Sequence, residues 1–240
     1  MLPNVIEEGA IFIADAHYSK KRTQLLLFIE HLLQDPPSQL FLLGDIFDFL
    51  IGDFSYLIEE NYELIHAIDK LSTQSSCKVF FLEGNHDFRL NNVFSKVTPI
   101  PIQQQPYVFN NIALSHGDNA SDLKHKVFTK IIRSSLGLGV IHLLTLNFLN
   151  NRFLKKVIQF LNEKNLCHSF NDFESFVEKR ITNNYSEVGT IIEGHYHQGC
   201  KLSINSKLYL NLPSFACNES YIVVKFRQNE LSFINKVFKG

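Results

Sequence analysis

The chain has 240 residues, of which 45% are hydrophobic and 20% charged, with 23 Lys and Arg against 24 Asp and Glu. This length and composition fit one globular domain with a packed core, and they exclude a disordered, fibrous or large multi-domain protein. The net charge of −1 lacks the basic excess that marks a nonspecific nucleic-acid binder.

Targeting signals are missing from the sequence, and we expect a cytoplasmic protein. The first residues lack the basic and apolar regions of a signal peptide, and no apolar run reaches the roughly 18 residues of a membrane span. The longest, residues 136–149, contains His142 and Asn147, so it suits a buried or interfacial helix better than a span. A peripheral contact with a membrane stays open.

The cysteines are widely spaced and form no Cys-x-x-Cys motif. A chain of this length does not need disulfides to stabilise its fold. We therefore expect four free, buried thiols in a reducing compartment, at Cys77, Cys167, Cys200 and Cys217.

Short apolar runs alternate with helical patterns in the first half of the chain. Runs of β-branched and aromatic residues at 10–14, 39–43 and 78–83 predict strands. Apolar residues spaced by three and four at 24–33 and 56–71 predict helices that pack on a sheet. The alternation indicates an α/β fold with parallel strands.

Hairpins and one long insertion are predicted in the second half. Hairpins are expected over 107–115, 201–212 and 221–237, with a further strand over 188–193. The predicted strand before His116 and the predicted strand before Gly194 are separated by far more residues than the ~30 that a strand-helix-strand crossover needs. Residues 119–185, which carry ten basic and five acidic side chains, are therefore predicted to be a helical insertion.

Polar clusters follow five of the predicted strands. Ligands bind open α/β sheets at the carboxyl ends of the strands, so we expect the clusters to share one site. Their carboxylate, amide and imidazole groups suit Mn, Fe, Zn or Ni, and they contain no thiolate ligand. The clusters are Asp15-Ala16-His17, Gly44-Asp45-Ile46-Phe47-Asp48, Gly84-Asn85-His86-Asp87, His116-Gly117-Asp118 and Gly194-His195-Tyr196-His197.

Each cluster alone also has a purely structural interpretation. Asp-x-His and Gly-Asp-x-x-Asp occur as turns or helix caps, and His116 could be a core histidine with satisfied hydrogen bonds. Gly-His-x-His is more specific, because two side chains two residues apart on extended backbone point the same way. The occurrence of all five clusters in order, each after an apolar run, favours a metal site.

This ordered set resembles the calcineurin-like metallophosphoesterases over residues 10–118 and 188–215. The resemblance implies an α/β fold, a four-layer αββα sandwich with a core at 1–118 and 186–240 and a helical lid at 119–185. It further implies a hydrolase with two divalent metal ions, expected to be Mn²⁺. Carried over by motif, Asp45 would bridge both ions, and the other ligands would be Asp15, His17 and His197 for one ion and Asn85, His116 and His195 for the other.

Two further residues are candidates for catalysis. His86 follows the ligand Asn85 and could protonate the leaving oxygen of a phosphoester. Asp48 would orient His86 and keep it protonated, because a neighbouring carboxylate raises the pKa of an imidazole. Asp87 and Asp118 are interpreted as structural residues that cap turns or bind ligand imidazoles.

Within this superfamily, the chain resembles the UDP-2,3-diacylglucosamine pyrophosphatases of bacterial lipid A synthesis. The shared features are Ile-Ala-Asp-x-His, Ile-Gly-Asp after Gly-Asp-x-Phe, Gly-Asn-x-Asp-Phe and the helical insertion. The resemblance implies hydrolysis of the diphosphate to 2,3-diacylglucosamine 1-phosphate and UMP, with the acyl chains received by the lid. That family commonly has Arg where this chain has His86, which leaves the substrate open.

Arg89 and Asp122 are candidate substrate contacts, with surface ion pairing as the alternative. The insertion combines apolar and basic residues, which suits a peripheral contact with the cytoplasmic face of the inner membrane. Its helices could instead simply pack on one another. Its basic residues lie among aliphatic ones and not among stacking aromatics, so no nucleic-acid partner is expected. The oligomeric state is unknown.

Two other functions compete with the lipid hydrolase. One is a phosphatase or phosphodiesterase that acts on a nucleotide or other soluble phosphoester. The other is a protein-binding scaffold without catalysis, which the complete set of seven ligands disfavours. An apolar cleft formed by the insertion beside the metals would favour the lipid substrate.

Overall fold

Strands and helices alternate along most of the chain, and the computed structural model describes residues 5–118, 130–146, 151–185, 187–227 and 230–240. The strands are β1 (Ile11–Ile13), β2 (Gln39–Leu43), β3 (Leu50–Ile51), β4 (Lys78–Leu82), β5 (Asp87–Phe88), β6 (Thr98–Ile100), β7 (Tyr107–Phe109), β8 (Ile112–Ser115), β9 (Thr190–Glu193), β10 (Lys201–Ile204), β11 (Lys207–Asn211), β12 (Ser220–Arg227) and β13 (Glu230–Val237). The helices are α1 (Gln24–Leu32), α2 (Ser55–Glu60), α3 (Tyr62–Gln74), α4 (Ser135–Leu146), α5 (Arg152–Asn162), α6 (Phe173–Asn184) and α7 (Phe215–Asn218).

Two sheets carry most of the strands. A six-stranded sheet has the order β13-β12-β1-β2-β4-β6, and a five-stranded sheet has the order β10-β11-β9-β8-β7. The neighbours β1, β2, β4 and β6 are parallel, as are β8, β9 and β11, while the hairpin strands are antiparallel. In each sheet the parallel strands therefore have their carboxyl ends at the same edge. The residues that follow these strands lie at that edge.

The two sheets pack face to face through aromatic side chains. Phe12, Phe41 and Phe80 lie in register on β1, β2 and β4, and their rings stack with centroids 4.5 and 4.9 Å apart. Phe109 of the other sheet meets Phe41 and Phe80 edge-on at 5.2 and 5.3 Å. Because both faces of these strands are covered, their sequences are continuous apolar runs without alternation.

Helices cover the outer face of each sheet. Phe28 of α1 and Ile68 of α3 are buried in one core cluster on the six-stranded sheet. Val177 and Ile181 of α6 are buried with Tyr209 on the five-stranded sheet. The prediction of an αββα sandwich is confirmed. The fourth layer is α6, which lies inside the segment predicted to be a lid; the domain boundaries themselves stay a prediction.

Some local elements differ from their predicted form. The helix predicted over 56–71 is divided at Asn61, whose side-chain amide donates to the carbonyls of Leu57 at 2.8 Å and Phe49 at 3.1 Å. The pairing of β3 with β5 was not predicted, because strands of two residues are too short to show a periodic pattern. Residues 228–229, in the hairpin predicted over 221–237, lie outside the described residues.

The prediction of four free thiols is wrong. Cys167 and Cys217 form a disulfide with Cα atoms 5.7 Å apart, while Cys77 is a free buried thiol and Cys200 a free half-buried one. The two bonded residues are 50 positions apart in sequence, and only the fold brings them together. Sequence spacing alone gives no sign of such a pair.

We expect the denatured protein to react with two equivalents of an alkylating reagent, and with four after reduction, as measured by intact mass. In the chain-entropy model, a disulfide that closes a loop of this length contributes about 4 kcal/mol to the free energy of unfolding. Cys167→Ser should lower that free energy by up to this amount in urea titrations, whereas Cys200→Ser should leave it nearly unchanged. Four reactive thiols without reductant would contradict the disulfide.

Candidate metal centre

The clusters that follow β1, β2, β4, β8 and β9 meet at one edge of the two sheets. The main-chain N–H of His195 donates to Asp15 Oδ2 at 2.9 Å, and that of His86 donates to Asp45 Oδ1 at 2.8 Å. Asp15 and His195 are 180 residues apart in sequence. The carboxylates are therefore fixed by the backbone of loops from distant parts of the chain.

The first group of candidate ligands is Asp15, His17 and His197, with one ligand atom of each within 4.8 Å of the others. His197 Nε2 lies 3.2 Å from Asp15 Oδ1, while its Nδ1–H donates to the carbonyl of Leu166 at 2.7 Å. His17 is buried, and neither of its ring nitrogens makes a hydrogen bond. Buried nitrogens without hydrogen bonds fit a cation at this position.

The second group is Asp45, His116 and His195, again within 4.8 Å. His116 Nε2 lies 3.4 Å from Asp45 Oδ2, 3.3 Å from Asn85 Oδ1 and 3.3 Å from His195 Nδ1. Because His116 Nδ1–H donates to the carbonyl of Leu43 at 2.8 Å, Nε2 of the neutral ring presents its lone pair. Several polar atoms with lone pairs thus face one another, and they repel unless a positive charge, from a proton or a cation, lies between them.

Protons supply that charge when no cation is bound. Although burial opposes the charged form of His116, the Asp45 carboxylate raises its pKa well above the ordinary value. Burial likewise opposes ionisation of Asp45, but His116 lowers the pKa of this carboxyl well below its usual range. In the first group the two histidines differ: burial lowers the pKa of His17, whereas for His197 burial opposes the charged form but the Asp15 carboxylate raises the pKa above its ordinary value.

Backbone geometry sets the directions of these ligands. Five of the seven predicted ligands have positive φ angles between 43° and 65°, a region that side chains other than Gly, Asn, Asp and His rarely adopt. Gly84 precedes Asn85, and a Cβ there would lie only 2.4 Å from Asp45 Oδ1. The residues with positive φ are Asp15, His17, Asp45, His195 and His197.

Asp87 supports the loop that carries Asp45. Its carboxylate accepts main-chain N–H bonds from Asp45 at 2.9 Å, Ile46 at 2.6 Å, Phe47 at 3.0 Å and Gly84 at 3.0 Å. This agrees with the structural interpretation of Asp87. The four bonds join the loop after β2 to the loop after β4.

Asp48 and His86 are related differently from the prediction. His86 Nδ1–H donates to the main-chain carbonyl of Asp48 at 2.7 Å. The Asp48 carboxylate instead pairs with Arg22 Nη2 at 2.9 Å and lies 3.5 Å from His17 Nδ1. The carboxylate therefore does not orient His86 as predicted, and the main-chain carbonyl of Asp48 orients the ring instead.

One of the two predicted substrate contacts lies within the described ranges, and no hydrogen bond or ion pair there joins it to the ligand cluster. Arg89 is exposed, and its Nε lies 3.7 Å from Asp53 Oδ2. Asp122 lies outside the described residues.

Sequence reasoning missed the arginines that surround the site. Arg22 pairs with Asp48, Arg180 pairs with Glu193, and Arg133 donates to the carbonyl of Gly84. Nothing in the sequence separates these three from the other 20 Lys and Arg residues. The nearest signal is Glu193, an acidic residue at the end of an apolar strand.

An apolar cavity of about 850 Å³ opens beside the candidate ligands. Asn85 and His86 line one part of it, together with the buried guanidinium of Arg133. Side chains of α4, α5 and the loops of the six-stranded sheet form the rest of its wall, among them Phe49, Phe88, Ile141, Val157 and Leu161.

Comparisons with known proteins agree with this geometry. The model of the calcineurin-like phosphoesterase family matches residues 10–199. UDP-2,3-diacylglucosamine hydrolase of Aliivibrio fischeri is 27% identical over 206 residues, which cover 78% of this chain and 81% of that protein. The enzyme of the same name from Pasteurella multocida is 36% identical over 118 residues, covering 45% of this chain and 47% of that protein. This enzyme and six further relatives of the same name match over 46–55% of their own length.

Among solved structures, a dimetal phosphatase from Danio rerio aligns with 95% of each chain at 14% identity and a TM-score of 0.43.

We expect Mn²⁺ to displace the proton that His116 holds against Asp45. Because the Asp45 carboxylate raises the pKa of His116 against the effect of burial, Mn²⁺ competes with a proton at this ring, and Mn²⁺ affinity should fall as the pH is lowered towards 6. Calorimetric titrations in two buffers of different ionisation enthalpy should show a net number of protons released, from His116 and from His197, whose pKa is also raised. His66→Gln, at an exposed histidine of α3, should not alter this number. Equal binding heats in both buffers would contradict the prediction.

Proposed function

Because the chain belongs to the calcineurin-like phosphoesterase family, we propose that it hydrolyses UDP-2,3-diacylglucosamine to 2,3-diacylglucosamine 1-phosphate and UMP. The observation that carries the proposal is the apolar cavity of about 850 Å³ beside Asn85 and His86. A cavity of this size falls within the range of ligand sites. A soluble phosphoester gives no reason for such an apolar wall, whereas acyl chains do.

We assign two divalent cations, proposed to be Mn²⁺, to the two groups of ligands. When bound, such cations supply positive charge to the phosphoryl oxygens and acidify a water for attack on phosphorus. The oxygen and imidazole donors of the site suit Mn²⁺. Asp45 belongs to both the His17 and the His116 neighbourhoods, which supports its role as the bridging ligand. The other ligands are Asp15, His17 and His197 at one cation and Asn85, His116 and His195 at the other.

His86 is proposed to protonate the leaving oxygen. Its main-chain N–H is bound to Asp45 and its Nδ1–H to the Asp48 carbonyl, so the ring is fixed from two sides. It is half-buried and lines the cavity, which puts it between the ligand cluster and the proposed acyl site. Asp48 acts on the site through Arg22 and His17.

The helices α4 and α5 are proposed to form a lid that receives the acyl chains. Val140 and Ile141 of α4 and Val157 and Leu161 of α5 line the cavity. Apolar walls favour fatty acyl chains through the area they remove from water. The lid would therefore select the substrate, while the metal ligands carry out hydrolysis.

The same helices supply a surface for a membrane. Large apolar side chains are exposed on them, with 82% of Leu136, 61% of Leu143 and 64% of Phe160 accessible. Exposed lysines such as Lys155 and Lys156 lie on α5, and this combination favours anionic lipid surfaces. No helix in the described ranges has the length and apolar character to cross a bilayer. We propose peripheral attachment at the cytoplasmic face of the inner membrane.

His86→Asn should lower turnover by about 10²- to 10⁴-fold, the usual contribution of a general acid. Mn²⁺ content, measured by elemental analysis, should stay at the wild-type value because His86 is not assigned as a ligand. His66→Asn is the surface control and should keep full turnover. An unchanged rate for His86→Asn would remove the general-acid assignment.

The substrate assignment is tested by comparing UDP-2,3-diacylglucosamine with a bis-aryl phosphodiester in the presence of Mn²⁺, with Asp45→Asn as the blank. Val157→Glu puts a charge into the cavity wall, so it should lower kcat/KM for the lipid at least tenfold and leave the aryl ester nearly unaffected. Val237→Glu, at an exposed strand position, is the matched control. Cleavage of the aryl ester alone by the wild type would instead favour a soluble phosphoester substrate.

A further inference from the structure

A buried ion pair lies behind the second group of candidate ligands. Arg180, on α6, is only 4% exposed, and Glu193 is fully buried. The guanidinium binds the carboxylate through two parallel bonds, Nε to Oε2 at 2.8 Å and Nη2 to Oε1 at 2.7 Å. Such a bidentate pair fixes direction as well as distance.

Glu193 fixes the position of His195. It is the last residue of β9 and precedes Gly194 and His195 directly. Its carboxylate also accepts hydrogen bonds from the hydroxyl groups of Tyr185 and Tyr209. Both oxygens of this carboxylate are therefore hydrogen-bonded. These bonds hold the end of β9, which leads to His195, in place.

Arg180 also fixes the loop of His116. Its Nη2 donates to the carbonyl of Gly117 at 2.8 Å, and the hydroxyl of Tyr196 donates to the same carbonyl at 3.0 Å. Gly117 has φ +120°, and a Cβ there would lie 3.2 Å from the Cβ of His195. The two histidine loops are thus in contact, and one guanidinium is bonded to both.

We propose that Arg180 is the positioning residue for the cation assigned to Asp45, His116 and His195. The proposal rests on the two-cation site of the proposed function. It gives α6 a role besides covering the sheet, because this helix carries the guanidinium that sets the spacing of His116 and His195. Residues that orient metal ligands typically contribute 10- to 100-fold to metal affinity.

The first group has a counterpart, which provides a matched control. Arg22 Nε donates to the carbonyl of His17 at 2.9 Å, and its Nη2 pairs with Asp48 at 2.9 Å. Arg22 and Arg180 therefore have the same chemistry, each bound to a carboxylate and to a carbonyl of a ligand loop. They act on different groups of ligands.

The test is made in the His197→Ala background. This variant lacks one ligand of the first group, so the second group is the one that keeps its full set of ligands. Mn²⁺ affinity is measured by calorimetry. Arg180→Gln in this background should weaken the remaining high-affinity Mn²⁺ by 10- to 100-fold, whereas Arg22→Gln should change it less than threefold. Equal losses from both substitutions, or no loss from Arg180→Gln in a folded protein, would overturn the proposal.

Folding is controlled by circular dichroism and urea unfolding of the metal-free variants. If Arg180→Gln fails to fold, Arg180→Lys takes its place, because it keeps the positive charge but cannot form the two parallel bonds to Glu193 together with the bond to the Gly117 carbonyl. Arg180→Lys should weaken the same cation several-fold in the His197→Ala background and leave the metal-free protein folded. An unchanged affinity would overturn the proposal.

Electron paramagnetic resonance gives a readout independent of turnover. With two equivalents of Mn²⁺ per protein, the wild type should show the signal of coupled manganese pairs, and Arg180→Gln should show mainly the signal of isolated ions. A coupled signal in Arg180→Gln would count against the proposal. Failure of the wild type to hydrolyse the lipid while it still binds two cations would refute the proposed substrate and leave the role of Arg180 intact.

Discussion

The crowding of acceptor atoms around His116 Nε2 is the constraint on which the rest of the structure depends. Oxygens of Asp45 and Asn85 and a nitrogen of His195 lie within 3.4 Å of it. Groups of this kind repel one another unless a proton or a cation lies between them. The main-chain N–H bonds that the Asp87 carboxylate accepts keep the loops together against that repulsion, and the left-handed backbone at Asp45 and His195 sets the direction of their side chains.

Different parts of the architecture contribute to meeting this constraint. Two sheets end at one edge and supply the ligands, and arginines outside the cluster bind the loops from behind. The helices α4 and α5 add the apolar cavity beside it, and Arg133 joins this cavity wall to the Gly84 carbonyl next to Asn85. The proposed metal site and the proposed acyl site are therefore joined through the same residues, so a change in one wall reaches the other.

Much of this arrangement could be predicted from local patterns. The strand at 39–43 and the convergence of the clusters follow from apolar runs that end in polar residues, because parallel strands deliver such residues to one edge. The partners of Asp48, Cys167 and Arg180 could not be predicted. In each bond the two residues are distant in sequence, or one of them is chemically equivalent to several other residues of the chain. Only the packed fold selects the actual partner.

The residues that build the candidate metal centre are far apart in sequence, and this separation has a consequence for biosynthesis. Ser214 Oγ donates to the carbonyl of Asp15, 199 residues earlier, so the first and last parts of the site are held together by contacts between the two ends of the fold. Contacts of such sequence separation form slowly, because a long loop must close first. A nascent chain that lacks β11 and α7 cannot complete the centre, so cations can be held there only after these two elements have been synthesised and have folded onto β1.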